Sequence, residues 1–234
     1  MNPMYDFSAR AVELVDATNI RPQIAWLKQN ERLIGIKGSR GVGKTTLLLQ
    51  YAKTMLQNEP FVYISLDNLY FSENSLLDFT DEFYKNGGKT LLIDEVHHYP
   101  SWSLELKNIY DLYPDLKVIY TGSSLLHLSK GRADLSRRSV VYNLPGLSLR
   151  EFINFSANLD LAPISLENIL TDHEAVAKGI WKLTKPIKWF NQYLNHGYYP
   201  FFLENIENYH LKLNEIILQV LESDLPYISG VSHS

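Results

Sequence analysis

Gly38-Ser39-Arg40-Gly41-Val42-Gly43-Lys44-Thr45 is the run from which the rest of the chain can be read. It fits Gly-x-x-x-x-Gly-Lys-[Ser/Thr], the Walker A spelling, at every specified position. Each letter has a chemical reason. Glycines let the backbone close around phosphate oxygens and take positive φ. A loop built this way turns its N–H groups inward as a nest for anions. A helix starting near Lys44 adds the positive end of its dipole. The expected phosphate-binding set is Gly38, Ser39, Arg40, Gly41, Val42, Gly43, Lys44, Thr45 and Thr46. Lys44 brings a positive charge to the β- and γ-phosphates, and the Thr45 hydroxyl is a ligand for Mg²⁺.

The flanks supply the context this loop needs. An apolar run, 33–36, precedes it, and a helical pattern over 45–57 follows, with Leu48, Tyr51, Ala52 and Met55 on one face. Further apolar runs at 61–66, 90–93, 118–120 and 140–144 alternate with helical patterns at 76–86 and 102–113. Strands alternating with helices give βαβ units and a mostly parallel sheet. The N-terminal segments 9–17 and 22–29 read as helices joined around Asn19, and residues 19–23 are a candidate wall for the base of a nucleotide. After Pro145 the pattern turns helical, with segments 149–155, 165–170, 174–183, 187–194 and 209–222 broken at Pro163, Pro186, Pro200 and Pro226. The expected fold is therefore α/β. It is a P-loop NTPase three-layer sandwich with a mostly parallel five-stranded sheet, followed by a small helical lid region. The expected domains are 1–146, the core with its N-terminal helices, and 147–234, the lid and the start of a C-terminal region.

Thr90-Leu91-Leu92-Ile93-Asp94-Glu95 reads as a buried strand ending in two carboxylates. On a parallel strand the C-terminal end faces the ligand crevice. Asp94 there holds Mg²⁺ through its water shell, the Walker B role, and Glu95 polarises the attacking water as a general base. His97 and His98 follow at once and raise the possibility of a His/carboxylate metal site. Adjacent positions on an extended segment point to opposite sides, so they read instead as residues of a loop or of a helix start.

Together with "TGSS" at 121–124 and "GRADLSRRSVVYNLPGLSLREF" at 131–152, these residues resemble the prokaryotic AAA+-type P-loop ATPases in which an AAA domain is followed by a domain of unknown function. The likeness runs from about residue 15 onward, with 145–152 and 193–204 the most telling stretches. The resemblance implies Mg²⁺-dependent binding and hydrolysis of ATP, coupled to a conformational change in a partner or a C-terminal region. A slow or non-hydrolysing nucleotide switch is the alternative. It also implies that the strand after the Asp-Glu pair lies between the other two and presents a polar sensor. Ser123 is the first choice for that sensor and Thr121 the second, unless the segment is a plain turn with a serine cap. An arginine finger, usually acting across a subunit interface, is expected before the last strand. Arg138 aligns with it, Arg137 is second, and Lys130 and Arg132 lie in the same basic cluster. Arg150 is a possible second sensor. Family members normally continue past a helix like 209–224, so the resemblance implies a chain cut short.

Composition narrows the partners. The chain has no cysteine, which removes disulfides, thiolate catalysis and cysteine-zinc sites together. Its net charge is −4 and the deficit lies in the last third, so a broad nucleic-acid surface is not indicated. No signal peptide and no apolar run of membrane-spanning length is visible, which points to a cytoplasmic protein. No Asn-Lys-x-Asp guanine-reading motif occurs, and nothing marks a phosphoacceptor site. The expected ligands are ATP and ADP with Mg²⁺, and self-association through the arginine finger is the one partnership suggested.

Overall fold

The apolar runs pair side by side, as runs that cannot be solvated must. The computed structural model describes residues 2–123 and 135–224. Five strands, β1 (Leu33–Gly38), β2 (Phe61–Ser65), β3 (Thr90–Asp94), β4 (Lys117–Ser123) and β5 (Val140–Asn143), form one sheet in the order β2-β3-β4-β1-β5. Every neighbouring pair is parallel, so the sheet is wholly rather than mostly parallel. β4 lies between β3 and β1, as the family resemblance implied. The chain therefore reverses its winding direction beside β1, and the crevice at such a switch point is where ligands sit in open α/β sheets.

Side chains alternate between the faces of a strand, and helices cover both. Val62, Ile64, Leu91, Ile93, Val118 and Tyr120 pack in one cluster with Phe79 and Phe83 of α4 (Leu76–Lys85) and Leu106 and Ile109 of α5 (Trp102–Leu112). The intervening Ile34, Ile36, Leu92 and Ile119 are also buried, and α2 (Lys44–Met55) packs against β1 and β2 with its own Leu47 and Leu48 buried. Each such side chain contributes about 1.5–3 kcal/mol when fully removed from water.

The N-terminal helix, α1 (Pro3–Leu14), begins earlier than the hydrophobic pattern suggests. Asn2 caps it by accepting a hydrogen bond from the Met4 amide, and Pro3 occupies the first turn, where no N–H is needed. α1 lies along β2, the outer strand of the sheet. Ser8 Oγ accepts from the Tyr63 amide at 2.9 Å, so one outward-facing main-chain donor of that edge is satisfied by a side chain. Residues Pro22–Lys28 form a 3₁₀ helix rather than an α-helix.

Strand ends differ from the apolar runs in an instructive way. β1 continues to Gly38 and β4 to Ser123 because the two remain in register through Gly38↔Ser123. Main-chain pairing carries a strand past the point where its side chains turn polar. A four-residue helix, α3 (Tyr70–Glu73), links β2 to α4.

The chain divides into two compact units. The first runs to Leu144 and includes the segment from Gln219, and the second is Pro145–Leu218. The second unit contains α6 (Leu149–Ala157), α7 (Leu166–Leu183), α8 (Pro186–His196) and most of α9 (Tyr209–Gln219), which ends in a π turn, Val220–Asp224. Ser148 opens α6 with a capping box. Its hydroxyl accepts from the Glu151 amide while the Glu151 carboxylate accepts from the Ser148 amide. A small core of Leu147, Phe152, Phe202 and Tyr209, with Trp189 and Tyr193 against it, holds this unit. The segments expected as 165–170 and 174–183 are two helical stretches of α7 that meet at Asp172, whose backbone is not helical (φ −144°, ψ 33°). Pro186 sits at the first turn of α8, at the break expected between 174–183 and 187–194. None of the described helices is long and apolar enough to cross a membrane.

Candidate phosphate and metal site

The site assembles where β1 and β3 end. Gly41 (φ 78°) and Gly43 (φ 91°) hold the left-handed conformation that side chains resist, and Gly43 is the cap from which α2 starts. The loop therefore enters the helix at the residue the sequence pattern demands. Val42 is fully buried, and its carbonyl accepts from Arg21 Nη1 at 3.3 Å. Gln50 of α2 donates to the carbonyls of Asp16 and Asn19. Residues 16–21 are thus tied to the loop and the helix behind it, close to the segment expected to wall a base.

Lys44 is 5% exposed, and its Nζ donates to the carbonyls of Gly38 and Ser39, each at 3.2 Å. The loop wraps its own lysine, so the ammonium is held at the loop's centre. Thr45 Oγ1 donates to Asp94 Oδ2 at 2.6 Å, joining the first motif to the second. Asp94 is 2% exposed and receives two further hydroxyls. Tyr63 donates to Oδ2 at 3.0 Å and Thr121 to Oδ1. A buried carboxylate is tolerable only when its lone pairs are engaged in this way. Proximity to Asp94, together with burial, raises the Tyr63 hydroxyl well above the ordinary phenol range, burial being the larger cause. Tyr63 is therefore a fixed donor.

Thr45 and Asp94 present adjacent hard oxygens, the donor type Mg²⁺ takes alongside retained waters. Their chemistry fits that ion. Glu95 follows with φ 51° and ψ 43°, rare for a residue with a side chain. Thr121 Oγ1 accepts from its amide at 3.1 Å, and His97 Nδ1 lies 3.1 Å from its Oε2. The Glu95 carboxyl titrates above the usual carboxylate range. Burial is the main cause and the Asp94 charge adds to it, while Lys44, His98 and Arg40 pull the other way. Strained backbone and a displaced titration together are what functional carboxylates show.

The other expected residues are placed as follows. Ser39 and Arg40 sit in the loop, partly exposed, and Thr46 is exposed on the first turn of α2. Ser123 is buried at the end of β4 beside Gly38. Thr121, the second choice for sensor, is the residue that touches both Asp94 and the Glu95 amide. Arg138 stands before β5, at the opposite end of the parallel strands from the loop. Its Nε and Nη2 bond the Asp111 carboxylate of α5 at 2.9 Å each, and that pairing holds Asp111 below the usual range. Arg138 therefore does not join the site of its own chain. Arg137 is exposed. Lys130, Arg132 and Ser124 lie outside the described residues.

His97 and His98 do lie in a turn that enters a helix, as expected, but the extended geometry assumed for them needs correction. The segment is not extended: Val96–His98 is a 3₁₀ turn entered from the left-handed Glu95. The two imidazoles lie side by side, with ring centroids 4.3 Å apart, rather than on opposite sides.

Sequence reasoning missed Tyr63 altogether. The available signal was a tyrosine between Val62 and Ile64 in a buried strand, whose hydroxyl had to find a partner. Tyr63→Phe keeps the ring and removes one donor to a buried carboxylate. It should lower stability by about 1–3 kcal/mol and raise the Mg²⁺ concentration needed for half-maximal nucleotide binding. Thermal melts and Mg²⁺ titrations check this, and an unchanged Mg²⁺ midpoint would remove Tyr63 from the site.

With this geometry in hand, comparison with known proteins is informative. A family model described as "AAA domain" matches residues 30–153. An uncharacterized protein of Methanocaldococcus jannaschii is 31% identical over 193 residues, which cover 76% of this chain and 40% of the relative. The chain thus spans about 40% of the length of that relative. Among solved structures, C. elegans PCH-2 matches with TM-score 0.39 and 21% identity over 71% of this chain and 49% of that one. The S. cerevisiae Hsp104-ADP complex matches with TM-score 0.44 and 22% identity over 65% of this chain and 26% of that one.

Proposed function

This chain belongs to the AAA domain family of P-loop ATPase-type, nucleotide-binding domains, and we propose that its Lys44–Asp94 cleft binds ATP with Mg²⁺ and hydrolyses it. The observation that carries the reading is the 2.6 Å bond from Thr45 to Asp94. It sets the phosphate loop, a cation position and the strand-end carboxylates at one mouth. The loop amides and Lys44 neutralise the β- and γ-phosphates. Thr45 and Asp94 would hold the cation, which would offset charge on the phosphate oxygens. Glu95 takes the proton of the attacking water, and its raised titration keeps it basic enough for the task. Thr121 fixes both carboxylates by bonding Asp94 and the Glu95 amide.

Turnover then drives a conformational change read by a partner or by further chain. A cytoplasmic location, suggested by the absence of cysteine, is part of the same proposal. A second reading is a slow or non-hydrolysing switch. It is favoured by the 3.1 Å contact of Glu95 with His97, which engages the carboxylate that hydrolysis needs.

The test is steady-state phosphate release from ATP and from GTP with Mg²⁺, over a range of protein concentrations, for wild type and Arg138→Ala. ATP turnover with little from GTP supports the first reading. ATP binding without turnover at any concentration moves the switch ahead. Arg138 reaches a neighbouring site only by leaving Asp111. If it is a finger, specific activity should rise with wild-type concentration and stay flat in Arg138→Ala. An Arg138→Ala loss that is independent of concentration would count against a finger acting between chains.

A further inference from the structure

Glu95, His97 and His98 form a group the proposed reaction does not fully use. The left-handed Glu95 turns the chain into the Val96–His98 3₁₀ turn, which brings both imidazoles to one side. Each of the three residues offers one ligand atom, and these atoms lie within 4.8 Å of one another. His97 Nδ1 and Glu95 Oε2 are already 3.1 Å apart. Two ligands on one tetrahedral ion with bonds of about 2.0–2.1 Å stand roughly 3.3 Å apart, so that pair is in place. His98 is the exposed member, so binding one ion requires its side chain to turn toward the other two. It also lines an open cavity of about 630 Å³ with Asp67, Ser75 and Tyr99.

We propose that Glu95, His97 and His98 bind a transition cation of the Zn²⁺ class, with water completing the coordination. The ligand set decides the ion. Two imidazoles and one carboxylate suit Zn²⁺ and Co²⁺, whereas Mg²⁺ takes oxygen and dehydrates reluctantly. The Thr45–Asp94 oxygens and the Glu95–His97–His98 group therefore sort two kinds of cation at neighbouring positions in the chain. Glu95 belongs to both sites. A Zn²⁺ ion on it withdraws the carboxylate from water activation, so Zn²⁺ acts as an inhibitor. This consequence, unlike the binding itself, rests on the hydrolytic reading above.

Co²⁺ serves as the probe, because a four-coordinate Co²⁺ ion has strong visible absorption. Wild type should bind one Co²⁺ with that spectrum, and Zn²⁺ should displace it. His98→Ala changes an exposed residue outside the hydrolytic machinery and should weaken binding by roughly tenfold or more, since even partners behind a ligand are worth about 10–100-fold. Asp94→Asn should leave the spectrum intact. An unaffected His98→Ala, a wild type with no such spectrum, or a signal lost in Asp94→Asn but kept in His98→Ala would each overturn the site. In turnover assays at saturating Mg²⁺, Zn²⁺ should inhibit wild type and spare His98→Ala. The expected Co²⁺ spectrum in a protein without ATP turnover would leave the metal site standing and sink the hydrolytic reading instead.

Discussion

Glu95→Gln should abolish phosphate release from ATP while leaving the nucleotide bound, a fall of about 10²–10⁴-fold for the loss of one general base. The amide keeps the size of the side chain and its place after β3 but has no basic oxygen to take a proton. The carboxyl's environment gives the prediction a second edge. Burial, and then the charge of Asp94, raise its titration above the ordinary carboxylate range. Glu95 is competent only when ionised, so turnover should fall as pH drops through that raised value, earlier than for an exposed glutamate. Residual activity in Glu95→Gln close to wild type would remove Glu95 as the base. An acid limb in the ordinary carboxylate range would mean that bound nucleotide and cation cancel the burial effect.

Lys44→Ala should eliminate measurable ATP binding. The ammonium is enclosed by the loop and bonded to the Gly38 and Ser39 carbonyls, so it cannot be replaced by a mobile surface charge. At about 4 Å and an effective dielectric near 20, one such charge on a phosphate oxygen is worth about 4 kcal/mol, or roughly a thousandfold in affinity. Circular dichroism of the variant should still show the folded sheet, because Val42 and the helix start at Gly43 do not depend on the lysine. Fluorescent-nucleotide titration provides the measurement, and unchanged affinity in Lys44→Ala would contradict the phosphate-loop assignment.

Much of this site was legible before any coordinates. The loop could be read because its chemistry dictates residue type at fixed spacing, and the carboxylates because they end a buried run beside that loop, and the C-terminal end of a parallel strand faces the crevice. The place of β4 between β3 and β1 followed from the resemblance rather than from pattern, and the rest of the sheet order came with the structure. What escaped was set by contacts across the fold. Tyr63 reaches Asp94 only because β2 pairs with β3, with Ser65 opposite Asp94. No local spacing encodes that meeting. The two imidazoles lie side by side rather than on opposite sides because one residue, Glu95, takes a conformation that propensity disfavours and redirects the chain after it. The start of α1 was missed because a cap and a proline, not an apolar stripe, define it. Arg138 gave no sign that Asp111 would hold it.

Thr45, Tyr63 and Thr121 all donate to one carboxylate, from α2, β2 and β4. Such an arrangement is redundant. With any single donor gone, two still fix Asp94, and neighbours in one network do not contribute additively. Change at position 63 or at position 121 alone therefore costs stability but leaves Asp94 held by two donors, while change at both at once leaves the carboxylate with a single tether. Variation at these two positions is conditional, each substitution being permitted by the residue kept at the other.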